Sequence, residues 1–278
     1  LVFDSYAEFL EDINLNGYYG GVRLIKAAIR KFSDWCARQG ISLGRNFTIE
    51  YDTNVPVRVG LAGSSAIVTA TIRALMEFFG VDIPKAILPG LILSVESEEL
   101  GIGAGLQDRV IQVYEGVVFM DFDKARMDRD GHGLYEPIDP ALLPPLFVAY
   151  HDHLAEGTEL FHNDLRSRYN RGEPAVMDAI RRWAAMAQEV RGLLLAGRGS
   201  EIGPLLNEAF DLRASLIRIS PGNLELVQRG RDLGAFTQFS GSGGAIIGAY
   251  DGDPERLARL RASYAQMGAQ LIEPQILP

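Results

Sequence analysis

The sequence predicts an α+β protein with two domains. Helical and strand-like patterns are mixed along it, without the regular alternation that builds a doubly wound sheet. A polar segment at 123–145, rich in glycine and proline, separates two halves that each carry both patterns. The 278 residues, of which 47% are hydrophobic, are enough to bury a core without disulfides. We therefore predict one domain over residues 1–145 and a second over residues 146–278.

The first half is predicted to be mainly helical. Val22, Ile25, Ile29 and Phe32 recur at helical spacing, whereas residues 47–52 alternate between apolar and polar. The predicted elements are a helix at 20–39, a strand at 47–52, a glycine-rich loop at 60–65, helices at 66–79, 85–100 and 106–114, and a strand at 117–122. Ser64 or Ser65 is the expected N-cap of the helix at 66–79.

The second half is predicted to combine long helices with short strands around a glycine-rich turn. Its predicted elements are a strand at 146–150, helices at 157–169, 174–195, 202–217 and 223–233, a strand–turn–strand unit at 236–250, a helix at 254–267 and a strand at 271–276. Residues 240–244 form the turn of the strand–turn–strand unit.

Composition and charge exclude several classes of protein. The chain has 27 basic and 36 acidic residues, a net charge of −9, which argues against nucleic-acid binding. No apolar run approaches the roughly 20 residues of a membrane span, and no signal peptide is visible. The single cysteine, Cys36, excludes a disulfide framework and fits a reducing compartment. We expect a cytoplasmic protein without a membrane or nucleic-acid partner.

The loop before the helix at 66–79 has the features of a phosphate site. A glycine-rich loop that runs into a helix start offers unpaired N–H groups and the positive end of the helix dipole. The residues concerned are Gly60, Leu61, Ala62, Gly63, Ser64, Ser65 and Ala66. No lysine follows the second glycine, so this is not a Walker A loop. The alternative is a serine-capped helix after a flexible turn.

Two carboxylates are candidates for one pocket. Glu96 lies near a helix end, Asp108 follows twelve residues later, and a glycine-rich link at 101–105 separates them. One carboxylate can hold Mg²⁺, which prefers oxygen ligands, and the other can deprotonate a hydroxyl nucleophile. The alternative is a solvated helix face, which we expect for Glu98 and Glu99.

The turn at 240–244 is the third candidate. Its core is Gly241, Ser242, Gly243 and Gly244, and small residues between two apolar strands permit a close approach of the backbone to another group. A plain hairpin is the alternative, although the turn is longer than a two-residue hairpin needs.

Together, these three segments resemble the GHMP small-molecule kinases, which include galactokinase, homoserine kinase and mevalonate kinase. The loop matches their Pro-x-x-x-Gly-Leu-x-Ser-Ser-Ala-like motif from Pro56 to Ala66, and the turn matches their C-terminal glycine-rich motif. Other segments look like the glucuronokinase group of that superfamily. They are GYYGGVRL at 17–24, GLQDRVIQVY at 105–114, MDF at 120–122 and LLPPL at 142–146.

The resemblance implies a fold, a reaction and residue roles. The first domain would resemble ribosomal protein S5 domain 2, and the second would be ferredoxin-like. The reaction would transfer the γ-phosphate of ATP to the anomeric hydroxyl of D-glucuronate, giving glucuronate 1-phosphate. The residues at 60–66 would bind ATP, Ser65 and Glu96 would bind Mg²⁺ (Glu99 if the helix register differs), Asp108 would act as base, and the residues at 241–244 would shape the substrate site.

An anionic sugar also needs a cationic partner. Arg58, Arg109 and Arg213 are the candidates, because a guanidinium group matches a carboxylate in a bidentate manner. For each of them, the alternative is a surface or structural salt bridge.

Some features of function stay open at this point. The chain begins Leu1-Val2-Phe3, and the N-terminal sugar-binding motif of the family is not found upstream of Gly17, so we expect a preceding N-terminal portion. The alternatives to a glucuronate kinase are a GHMP kinase of another sugar or small alcohol, and a non-catalytic ligand-binding protein on the same fold. The oligomeric state is not predicted.

Overall fold

Two compact units make up the chain, and the computed structural model describes its residues 1–56, 60–154 and 165–277. The first unit comprises residues 1–54, 64–115 and 120–136, and the second comprises residues 55–63, 116–119 and 137–278. The units therefore interleave along the chain, whereas the sequence predicts a single boundary after residue 145. Residues 60–63 of the candidate phosphate loop belong to the second unit, whereas residues 64–66 belong to the first.

Helices dominate the chain as far as residue 138. The elements are α1 (Tyr6–Asn16), α2 (Arg23–Arg38), α3 (Gly63–Phe79), α4 (Leu88–Ser94), a π-helical turn (Val95–Glu99), α5 (Leu106–Tyr114), β1 (Val117–Asp121), α6 (Lys124–Asp130) and β2 (Leu134–Ile138). The strands β1 and β2 pair in a two-stranded sheet. Side chains cap two of the helices, because Ser5 Oγ accepts from the Glu8 N–H and Asp123 accepts from the Arg126 N–H.

The core of the first unit lies between α2, α3 and α4. Phe32 from α2, Ile72 from α3 and Ile92 from α4 are all fully buried in one cluster. Burial of each such side chain stabilises the fold by about 1.5–3 kcal/mol. This packing fixes the π-helical turn that directly follows α4.

A four-stranded antiparallel sheet organises the second unit. The elements are β3 (Leu146–Tyr150), α7 (Pro174–Leu195), α8 (Gly203–Leu216), α9 (Pro221–Asp232), β4 (Phe236–Phe239), β5 (Ala245–Ala249), α10 (Pro254–Gln266) and β6 (Gln270–Ile272), with 3₁₀ turns at Pro140–Leu142 and Gly199–Glu201. Residues 165–170 are also helical. The strand order is β4-β5-β3-β6, so the turn at 240–244 joins two adjacent strands.

The core of the second unit lies against this sheet. Phe147 from β3, Leu226 from α9 and Leu260 from α10 are fully buried in one cluster with Tyr264. The Tyr264 hydroxyl donates to the Leu226 carbonyl at 3.1 Å. Burial raises the pKa of Tyr264, so this side chain stays a neutral donor within the core.

The structure confirms the α+β class and most predicted elements of the second half. The helices predicted at 174–195, 202–217, 223–233 and 254–267 correspond to α7, α8, α9 and α10, and the unit at 236–250 corresponds to β4 and β5. The helix predicted at 157–169 falls largely on residues outside the described ranges.

Four details of the first half differ from the prediction. Residues 41–54 contain no strand; instead Phe47 packs edge-on against Phe79 at the end of α3. The helix α3 begins at Gly63, so Ser64 and Ser65 lie inside its first turn and neither is its cap. The helix α1 was not predicted, and the polar segment at 123–145 contains α6 and β2. Within the described residues, no helix is long and apolar enough to cross a membrane.

Candidate active site

The backbone φ angles of the candidate phosphate loop alternate in sign. Gly60 and Ala62 have positive φ angles of +72° and +54°, whereas Leu61 between them does not. A positive φ is uncommon for a residue with a Cβ, and such conformations cluster at functional sites. Alternation of this kind is the geometry of a nest, in which successive N–H groups bind an anion. Because α3 begins at Gly63, the positive end of its dipole follows at once.

The turn at 240–244 packs backbone against backbone on this loop. A Cβ added to Gly60 would lie 2.7 Å from the Gly243 carbonyl oxygen, and one added to Gly241 would lie 2.9 Å from the Gly60 oxygen. The Ser240 hydroxyl also donates to the Gly60 carbonyl at 3.4 Å. The structure therefore brings two of the predicted segments together, although 180 positions separate Gly60 from Ser240.

This contact predicts a large effect for Gly60→Ala. The new methyl group would push the loop away from the turn. Misplacement of a binding group by about 1 Å can cost about 10²-fold in rate, so we expect kcat/KM for ATP to fall at least about tenfold. Gly197→Ala is the control, because Gly197 has a similar φ of +70° but no neighbour within 4 Å. Both variants place a Cβ at a positive φ, but only Gly60→Ala adds the close contact with the Gly243 carbonyl. Steady-state rates at varied ATP concentrations, compared between the two variants, therefore measure the effect of that contact. Equal kinetics of the two would contradict the prediction.

Ser65 is buried in the first turn of α3, and α5 holds its hydroxyl in place. Gln112 Nε2 donates to Ser65 Oγ at 2.9 Å, while the Thr69 hydroxyl donates to Gln112 Oε1 at 3.0 Å. Gln112 thus orients the hydroxyl that we predict to face Mg²⁺, whereas Ser64 is exposed. We did not predict this role for Gln112; its position four residues after Asp108 on one helix was the available signal.

A buried arginine joins the two predicted acidic residues. Glu96 is 1% exposed and Arg109 is 4% exposed, and Arg109 Nη2 donates to Glu96 Oε2. Arg109 Nη1 lies 3.3 Å from Asp108 Oδ2 and donates to the Gly105 carbonyl at 3.0 Å. Asp108 keeps half of its side-chain surface open, at 50% exposure. The structure therefore brings Glu96 and Asp108 to one guanidinium group.

Burial makes this arginine important as the charged partner of Glu96. A carboxylate removed from water is costly unless a cation and hydrogen bonds compensate it. Arg109 supplies that cation, and its Nε is a buried donor without a hydrogen-bond partner among the described residues. We infer that Arg109 positions Glu96 and Asp108 relative to each other.

Glu96 and Glu99 both lie within the π-helical turn. An extra residue within a helical turn changes which side chains share a face, and such insertions are frequent at functional sites. Glu99 accepts a hydrogen bond from the Tyr18 hydroxyl at 2.6 Å and lies 3.5 Å from Arg30 Nε. Burial, together with the Glu99 carboxylate, raises the pKa of Tyr18, so this phenol stays a neutral donor.

The expectation of a solvated face is correct for only one of the two glutamates. Glu98 is 68% exposed and pairs with Lys31 at 2.7 Å. Glu99 is largely buried, and the expectation is wrong for it because Tyr18 and Arg30 cover its carboxylate.

The three candidate arginines have different surroundings. Arg58 lies outside the described residues. Arg213 Nη1 donates to the Gly241 carbonyl at 2.7 Å, and its guanidinium lies 5.3 Å from the centre of the Phe239 ring. Arg109 lies between two carboxylates, as described above. A contact of any of them with a sugar carboxylate stays a prediction.

The donors that we predict for Mg²⁺ fit that ion chemically. Ser65 and Glu96 supply a hydroxyl and a carboxylate, both hard oxygen donors and both buried. In phosphate-transfer sites Mg²⁺ commonly takes one or two protein carboxylates and completes its shell with phosphate oxygens and water. Among the described residues, no group of three or more His, Cys, Asp or Glu side chains could hold a metal ion.

Solved structures share the fold of this chain. Phosphomevalonate kinase from Streptococcus pneumoniae aligns over 95% of this chain and 84% of its own, with a TM-score of 0.72 and 18% sequence identity. At that identity, the likeness concerns the fold alone.

Sequence relatives identify the family. Residues 23–116 match the model of the GHMP kinases N terminal domain. Glucuronokinase 1 from Arabidopsis thaliana is 38% identical over 99% of this chain and 77% of its own length. Probable glucuronokinase 2 from the same plant is 39% identical over 98% of this chain and 75% of its own. The chain belongs to the GHMP kinase family, and it is a phosphotransferase.

Proposed function

We propose that this GHMP sugar kinase phosphorylates D-glucuronate. The γ-phosphate of ATP would pass to the anomeric hydroxyl, and the products would be glucuronate 1-phosphate and ADP. One observation carries the proposal: a glucuronokinase and a probable glucuronokinase are 38% and 39% identical to this chain over nearly all of its length. Two features of the structure also support the proposal. They are the contact between the loop at 60–66 and the turn at 240–244, and the pair of carboxylates, Glu96 and Asp108, beside Arg109.

The phosphates of ATP would bind at the loop at 60–66. The alternating backbone of Gly60 and Ala62 offers N–H groups to an anion, and the start of α3 adds its dipole. Gly241 and Gly243 of the turn at 240–244 pack closely against Gly60 of this loop. Oriented N–H groups of this kind stabilise the charge that develops on a transferring phosphoryl group.

Asp108 would act as the general base. Its carboxylate is half exposed and therefore accessible to a hydroxyl group, while Arg109 holds it from one side. As the sugar oxygen forms its bond to the γ-phosphorus and the bond to ADP breaks, the hydroxyl proton would move to Asp108. This step follows general-base catalysis.

Ser65 and Glu96 would hold Mg²⁺, which when bound neutralises charge on the phosphate oxygens. Gln112 holds Ser65 and Arg109 holds Glu96 through hydrogen bonds. The carboxylate of the sugar would meet Arg58 or Arg213, of which Arg213 lies beside the turn at 240–244.

The test is ADP release from Mg·ATP across a panel of acceptors. The panel contains glucuronate, galacturonate, galactose, glucose, mevalonate and homoserine, and ³¹P NMR identifies the phosphorylated product. We expect turnover with glucuronate and a sugar 1-phosphate as its product. Turnover confined to another acceptor would overturn the substrate, and Mg·ATP binding without turnover on any acceptor would favour a ligand-binding protein.

A further inference from the structure

A buried amide holds the turn at 240–244 in place. Asn223 lies at the start of α9 and is fully buried. Its Oδ1 accepts a hydrogen bond from the Gly244 N–H at 2.8 Å. Its Nδ2 donates to the Leu154 carbonyl at 3.0 Å and to Ser220 Oγ at 3.1 Å.

The turn needs such support because its own sequence does not fix its conformation. Gly243 and Gly244 have φ angles of +129° and +80°, which residues with a side chain rarely adopt. A glycine segment loses the most conformational entropy on ordering, so fixed hydrogen bonds must compensate for that loss. The Gly244 N–H bonds to Asn223, and the Gly244 carbonyl accepts from the His151 N–H at 2.9 Å.

Gly243 connects this anchor to the phosphate loop. A Cβ on Gly243 would lie 3.2 Å from Asn223 Nδ2, and the Gly243 carbonyl oxygen is the atom nearest to a Cβ added to Gly60. A shift of the amide would therefore move Gly243, and with it the surface on which Gly60 rests. All of these residues belong to the second unit.

We propose that Asn223 is a positioning residue of the nucleotide site, which acts through Gly244 and Gly243 on the backbone of the loop at 60–63. This inference rests on the proposed function, since it takes that loop as the phosphate site. Asn223 touches neither ATP nor sugar in this scheme. Its effect is therefore expected on the nucleotide and not on the acceptor.

The test compares Asn223→Ala with Asn207→Ala. Asn207 is the control, because its Oδ1 on α8 accepts from the Thr237 N–H of β4 at 2.9 Å in the same unit, and none of the hydrogen bonds described here joins it to residues 240–244. Since a shift of about 1 Å can cost 10²-fold, we expect Asn223→Ala to lower kcat/KM for ATP by about 10- to 100-fold. We expect no comparable change in KM for the sugar, and Asn207→Ala should lower only the Tm.

Ser220→Ala keeps the inference testable if Asn223→Ala does not fold. This variant removes one acceptor of the Asn223 amide, and we expect weaker binding of Mg·AMPPNP by about two- to tenfold, the factor that one neutral hydrogen bond is worth. Calorimetric binding of Mg·AMPPNP also separates the two proposals. If the unchanged protein phosphorylates no sugar acid but Asn223→Ala still weakens nucleotide binding, the proposed substrate fails and the inference holds. Unchanged nucleotide affinity in both Asn223→Ala and Ser220→Ala would overturn the inference.

Discussion

Asp108→Asn is expected to lower kcat by about 10²- to 10⁴-fold, the contribution typical of a general base. The amide has nearly the shape of the carboxylate but cannot take up the hydroxyl proton. The fold should persist, because Asp108 is half exposed and the buried pair between Glu96 and Arg109 stays intact. Initial rates at saturating Mg·ATP and sugar measure the loss, and the thermal unfolding midpoint reports on the fold.

Glu98→Gln is the matched control for this change. The Glu98 carboxylate is 68% exposed and, among the contacts described, pairs only with Lys31. Because such surface pairs contribute little, the kcat of Glu98→Gln should stay within about twofold of that of the unchanged protein. The pH dependence adds a second criterion. A rate that falls at acidic pH in the unchanged protein, and that loses this dependence in Asp108→Asn, is the behaviour of a base. Full turnover by Asp108→Asn would remove the residue from the chemistry.

The features that the sequence predicts well are local ones. The helix α7 follows from the proline at its first position and the apolar spacing after it, and the structure has the predicted bounds. The two glycine-rich segments were also found from composition alone. Glycine at close backbone contacts leaves a clear signal, because no other residue fits there, as the contact between Gly60 and Gly243 shows.

The features that the sequence does not predict depend on distant partners. The alternating stretch at 47–52 suggested a strand, but strand hydrogen bonds need a neighbouring strand, and none pairs with it among the described residues. The roles of Gln112 and Asn223 likewise depend on groups 47 and 21 positions away, Ser65 and Gly244. Apart from the place of Gln112 four residues after Asp108, the local sequence gives no sign of these bonds.

Arg109 is a charged residue whose role likewise depends on its partners in the folded chain. Its guanidinium group suggests a ligand for a sugar carboxylate, whereas the structure places it between two carboxylates of the chain. The spacing of Glu96 and Asp108 was visible in the sequence. What the sequence could not show is that a π-helical turn and the packing of α4 bury Glu96 and thus create the need for a buried cation.

Arg109→Met is expected to lower the free energy of unfolding by about 3–5 kcal/mol, because removing one partner of a buried ion pair leaves the other charge uncompensated. Urea denaturation followed by circular dichroism measures this loss. Arg129→Met is the control: Arg129 pairs with Asp130 but is 67% exposed, and such a surface pair is worth about 0–1 kcal/mol. Equal losses in the two variants would contradict a special role for the buried pair.

A double-mutant cycle with Glu96→Gln identifies the origin of the loss. Once Glu96→Gln has removed the buried carboxylate, no charge is left behind when Arg109 is replaced, so Arg109→Met should then cost much less than it does beside Glu96. Arg109→Lys keeps the positive charge but has no planar fork to reach Glu96 and Asp108 together, so we expect stability to recover more than activity. Recovery of both to the same extent would mean that Arg109 only neutralises Glu96. Recovery of stability alone would show that its geometry also orients Asp108 for proton transfer.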